Sequence, residues 1–116
     1  TGEDIALKEV PMLRKLYGYD TSRALQSRYY EWADDVQYTA RQIKELRGPE
    51  QLKARQAPEA KLIGMEKMIR NHMTRLRQQR RLAESRNDKD RVEAIDDMMR
   101  RDMARFNQRY AELVLQ

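Results

Sequence analysis

A chain of 116 residues with 37% charged and 40% apolar side chains has the length of one ordinary domain but little material for a thick globular core. Cysteine is absent, which excludes disulfide frameworks, thiolate nucleophiles and thiolate metal sites, and no apolar run approaches the roughly 20 residues that cross a bilayer. Four glycines and three prolines among abundant Ala, Leu, Met, Glu, Gln, Lys and Arg, with a net charge of +5, predict an all-α chain.

Residues 1 to 20 read as a lead-in segment. Ile5, Val10, Leu13 and Leu16 are apolar anchors, and Pro11 forbids an uninterrupted helix through them. The start at Thr1, taken with the thin core, leads us to expect a portion of a longer polypeptide; nothing at the amino end has the pattern of a signal peptide. Asp20, Thr21 or Ser22 can cap a first long helix over about residues 22 to 46, which the Gly48-Pro49 breaker ends. Leu25, Tyr29, Trp32, Val36, Ile43 and Leu46 recur there at heptad-like steps, with Thr39 as the polar member of one seam.

A linker over residues 48 to 57 follows, with a short helical turn from Pro49 through Leu52, before Pro58 opens the second long helix. Its seam is Leu62, Met65, Ile69, His72, Leu76, Gln79 and Ala83. The segment SRND at 85 to 88 is turn-like, and Asn87 and Asp88 are both good caps. A third helix carries Val92, Ile95, Met99, Met103, Phe106, Tyr110 and Leu113, with an acidic first turn that suits the helix dipole. The expected fold is an elongated three-helix bundle: one domain over residues 21 to 116, in which residues 58 to 114 form an antiparallel helical hairpin.

Candidate chemistry is sparse. The single histidine, His72, falls on an apolar seam with no Ser or Cys beside it and reads as structural. Asp34-Asp35 and Asp96-Asp97 are neighbours about 100° apart on a helix, so they do not converge on a metal or a substrate. No phosphate-binding Gly loop, HExxH, EF-hand loop or ExxH pair is present. We therefore expect no enzyme, no cofactor and no metal, and assign no catalytic residue. The strongest electrostatic feature is RLRQQRR at 75 to 81: residues 58 to 86 carry eight cations against three acids, and the flanking regions nearly balance. Arg75, Arg77, Arg80 and Arg81 can meet nucleic acid or an acidic partner, or form a solvated face paired with Asp96, Asp97 and Asp102 across the hairpin. The seven methionines fill core gaps or serve adaptable partner surfaces.

Five of the eight aromatic residues lie between Tyr17 and Trp32. Here VPMLRKLYG at residues 10 to 18, followed by TSRALQSRYYEWADDV from residue 21, resembles the carboxy-terminal helical region of large bacteriophage internal virion (ejection) and polyvalent proteins. Pro11, Arg14, Tyr17, Gly18, Arg28, Tyr29, Tyr30 and Glu31 carry the likeness. KMIRNHMTRLRQQRR at 67 to 81 with RVEAIDDMMRRDMARF at 91 to 106 is similar to the hairpin of the same region. The resemblance implies a structural role in a virion assembly that accompanies genome delivery, near portal or tail. Its partners would be portal, tail or sibling ejection proteins, in a homo-oligomer, with possible DNA contact. No catalytic residues transfer. Tyr17, Tyr19 and Tyr30 lie off the first seam and are the candidate protein interface. The alternative is a nucleic-acid-binding helical module that uses the basic 75 to 81 face.

Overall fold

The structure, a computed structural model, describes residues 21 to 115. Within them the chain forms α1 (Thr21–Glu45), α2 (Gly48–Gln56), a 3₁₀ turn (Pro58–Ala60), α3 (Lys61–Ser85) and α4 (Lys89–Val114), with no strand. The expected lead-in, including Pro11, Tyr17, Tyr19 and the cap position Asp20, lies outside the described residues. No described helix is long and apolar enough to cross a membrane.

Three long helices pack as an all-α bundle. His72 meets Asp102 and Arg80 meets Asp96, so α3 and α4 are antiparallel. Tyr30 meets Arg77 and Gln37 meets Glu66, so α1 also opposes α3. Leu25 and Asn107, then Trp32 and Tyr110, pair in ascending order; α1 and α4 therefore run parallel. The core joins Leu25, Tyr29, Ala33 and Val36 of α1 to Leu62, Ile69 and Met73 of α3 and Met103, Phe106 and Tyr110 of α4. Phe106 is fully buried, with Tyr29 set edge-on to its ring at a centroid distance of 5.5 Å. Burial of one such side chain contributes about 1.5 to 3 kcal/mol.

The hairpin turn has a local chemical cause. Asn87 sits in the left-handed region at φ 57, and Asn tolerates it better than most residues. Asp88 N–H reaches the Ala83 carbonyl at 2.9 Å and Asn87 N–H the Glu84 carbonyl at 3.0 Å, a complete Schellman stop for α3. The Asp88 side chain then accepts from Arg91 N–H at 3.1 Å and caps α4.

The segment expected as a linker is more ordered than its composition indicated. Residues 48 to 56 form a nine-residue helix, and Pro58 begins a 3₁₀ turn before α3 starts at Lys61. Pro49 serves as a helix opener, Gly48 takes φ 55 before it, and Gln51 Nε2 donates to the Ile43 carbonyl at 3.1 Å, closing the end of α1. No residue of α2 is buried, so its place is held by this bond and the chain on either side.

The seam of α3 also differs from its expected register. Leu62, Ile69, Leu76 and Ala83 are buried as expected, but Glu66 and Met73 take the positions assigned to Met65 and His72, which are half-buried, and Gln79 is exposed. The cause is that α3 has two neighbours. His72 reaches the flank of α4 at Asp102 and Glu66 reaches α1 at Gln37, so the buried strip is shifted toward α1 and takes in positions 66 and 73.

Candidate functional site

Two polar clusters and one basic lip stand out. In the first cluster, Glu66 is 3% exposed and its Oε2 accepts from Gln37 Nε2 at 2.7 Å and pairs with Arg70 Nε at 3.3 Å. It is therefore a satisfied carboxylate, not a stranded one. Burial, and then the nearby charge of Glu66, push the Tyr29 phenol up to about 12.

In the second, Asp102 is also 3% exposed and joins the two helices of the hairpin. Its Oδ2 faces His72 Nδ1 at 2.5 Å and its Oδ1 accepts from Arg105 Nη2 at 2.7 Å. His72, read from sequence as structural, thus has a carboxylate partner, supplied by α4. A shallow open cleft of about 500 Å³ lies beside this pair, lined also by Met98, Arg101, Ala104 and Gln108. Among the described residues no Ser, Thr or Tyr hydroxyl lines it. Among the described residues no three His, Asp or Glu side chains gather as a metal site would require.

The basic stretch divides around its helix. Arg80 turns to α4, where Asp96 holds it at 2.7 Å and Glu84 adds a second bond at 2.7 Å; the Asp96 hydrogen bond and charge raise its guanidinium above its ordinary value. Of the three acids expected to face these arginines, only Asp96 does so. Asp97 pairs with Arg100 and Arg101 of its own helix, and Asp102 with His72 and Arg105. Arg75 and Arg81 are exposed, and neither has a carboxylate partner among the described residues. Arg77 turns to α1 and donates from Nη2 to the Tyr30 hydroxyl at 2.9 Å.

Of the three candidate interface tyrosines, Tyr30 alone is described. It is 51% exposed, packed edge-on to Tyr29 with centroids 5.1 Å apart, and tied by its hydroxyl to Arg77. Sequence reading missed two further features of the same face. Arg41 lies over the Tyr38 ring at 5.9 Å, and Arg70 and Arg77 stand one above the other on the side of α3 that meets α1. A count of charges along the chain gives no sign of this, because the face is assembled from two helices. No family model, curated protein or solved structure matches this chain.

Proposed function

We propose that this domain is a non-catalytic assembly segment that works by holding an aromatic and arginine-rich face against other macromolecules. The observation that carries this reading is Tyr30. It belongs to the stretch that resembles phage virion proteins, yet it is half-exposed and braced by Arg77 while its neighbour Tyr29 is buried in the core. A large aromatic side chain held in place at the surface contributes contact area at small entropic cost. Tyr38, Leu52, Met68 and Leu82 are further exposed apolar side chains on the same bundle, as interaction surfaces require.

With the resemblance of residues 10 to 38 and of the hairpin, the reading becomes specific: a segment of a phage virion protein that accompanies genome ejection, oligomeric, in contact with portal, tail or sibling ejection proteins. Cross-linking mass spectrometry on intact particles is the test. Lys53, Lys61 or Lys67 should be found joined to those proteins; absence of the parent protein from purified virions would overturn the reading.

A second reading is contact with nucleic acid through the basic face. It is favoured by Arg75, Arg77 and Arg81, which have no carboxylate partner among the described residues. Steep loss of DNA affinity with salt supports it, and indifference to salt removes it.

A further inference from the structure

We propose that the lip formed by α1 and α3, which carries Tyr30 and Arg77, is a binding site for single-stranded nucleic acid. The inference rests on the second reading above and names its ligand and its residues. On α3, Lys67, Arg70, Arg77 and Arg81 lie within about 80° of one another at the helical 100° per residue, on the side that meets α1. On α1, Arg41 and Lys44 lie on the same side as Tyr30 and Gln37, the two residues that bond to α3. From Lys67 to Arg81 the row extends about 21 Å at 1.5 Å per residue.

Compared with the cations of α4 from Arg100 onward, this row lacks internal compensation. On α4, Arg100, Arg101, Arg105 and Arg109 each have a carboxylate of their own helix within 4 Å, at Asp97, Asp102 or Glu112. On the lip only Arg70 does, at the buried Glu66; Asp34 and Glu45 of α1 and Glu84 of α3 are the other acids on or beside that side, and Glu84 is held by Arg80. Arg41, Lys44, Lys67, Arg77 and Arg81 have no such partner among the described residues. Cations spaced along a line suit the regular phosphates of a nucleic acid better than the scattered acids of a protein surface.

The aromatic near one end of the row selects the single strand. The hydroxyl of Tyr30 is fixed by Arg77 and one side of its ring by Tyr29, so the exposed remainder is presented in a set orientation amid the cations. Stacking on such a ring needs a base whose face is free, which a duplex does not offer. Phosphates on the guanidinium groups and a base on Tyr30 together make the site.

Fluorescence anisotropy with a labelled oligothymidylate, and with a duplex of equal length, tests this over a salt series of about 50 to 200 mM. The double change Arg77→Gln with Arg81→Gln should weaken single-strand binding about tenfold or more and lower the salt slope by about 1.4, at roughly 0.7 per phosphate contact. Tyr30→Leu should weaken binding severalfold and leave the slope unchanged. Arg101→Gln with Arg109→Gln on α4 removes equal charge and should change little; circular dichroism on each variant confirms that it is folded. Absence of binding at the lowest salt would end both the nucleic-acid reading and the inference. Equal weakening by the α4 pair would keep the reading and discard the lip. Tighter binding of the duplex, or equal displacement by polyglutamate, would overturn the ligand assigned.

Discussion

The indole of Trp32 lies flat on the ring of Tyr110, with centroids 4.7 Å apart and planes 9° from parallel. This stack joins α1 to α4 beside the fully buried Phe106, whose ring is 6.2 Å from Tyr110. Trp32, read from sequence as one member of the first seam, is half-buried at the edge of the core and covers Tyr110.

Trp32→Ala should therefore cost about 2 to 3 kcal/mol, below the roughly 3 to 5 kcal/mol of a fully buried aromatic, because part of the ring is already in water. Trp32→Phe should recover most of that. Urea unfolding of the two variants checks the order; a loss below about 1 kcal/mol for the alanine would place the indole outside the packing that holds α1.

Stability should fall as pH rises from 10 toward 12. Burial first, then Glu66 for Tyr29 and the hydrogen bond to Asp35 for Tyr110, push both phenols up to about 12 in the folded chain, against 10.0 unfolded. Below pH 10 neither state loses these protons, so the phenols leave stability unchanged. Above it the unfolded chain ionises first and is favoured, by up to about 1.4 kcal/mol per pH unit for each tyrosine. The diagnostic is a shallower slope in Tyr29→Phe and in Tyr110→Phe than in the parent.

Two glycines should respond to alanine with opposite sign. At neither would a Cβ meet another atom within 4 Å, so packing does not decide. Gly64 is inside α3 with ordinary helical backbone, and Gly64→Ala should stabilise by about 0.5 to 1 kcal/mol. Gly48 has φ 55, and Gly48→Ala should destabilise by about 1 to 2 kcal/mol. Thermal melts of both variants are sufficient to read the signs.

At the His72–Asp102 pair the smaller deletion should do more harm than the larger chemical change. His72→Ala leaves a buried carboxylate with Arg105 alone and should cost about 1.5 to 3 kcal/mol. Asp102→Leu removes the buried charge and strands nothing, since His72 and Arg105 both reach solvent, and should stay within about 1 kcal/mol of the parent. Denaturant midpoints rank the two.

How much of this was legible in advance varies with the length scale of the cause. The span of α4 and the turn at Asn87 were readable because caps, dipole and Schellman residues act within a few positions of one another. The burial of Glu66 and Asp102 was not, since each carboxylate is made tolerable by partners that include a side chain about thirty residues away, Gln37 or His72. A faint signal existed: an acid on α4's apolar flank opposite the only histidine. The basic lip was half legible. RLRQQRR drew attention to the right helix, but helical geometry sends Arg80 to Asp96 and Arg77 to Tyr30, so contiguous charge in sequence became two different surfaces.

The parallel course of α1 and α4 bears on the order in which the chain can assemble. The hairpin of α3 and α4 closes through a turn of a few residues, whereas the bond between Leu25 and Asn107 joins positions 82 residues apart. Local contacts form early and loop closure over long separations comes late, so α1 should dock onto a preformed hairpin. Docking last in folding, it should also open first. Native-state hydrogen exchange should then show the central amides of α1 exchanging through a partial opening of lower free energy than those around Ile69 and Met103. Since Tyr30 rides on α1 and its brace Arg77 on α3, that opening would take the lip apart and leave the rest of the hairpin standing.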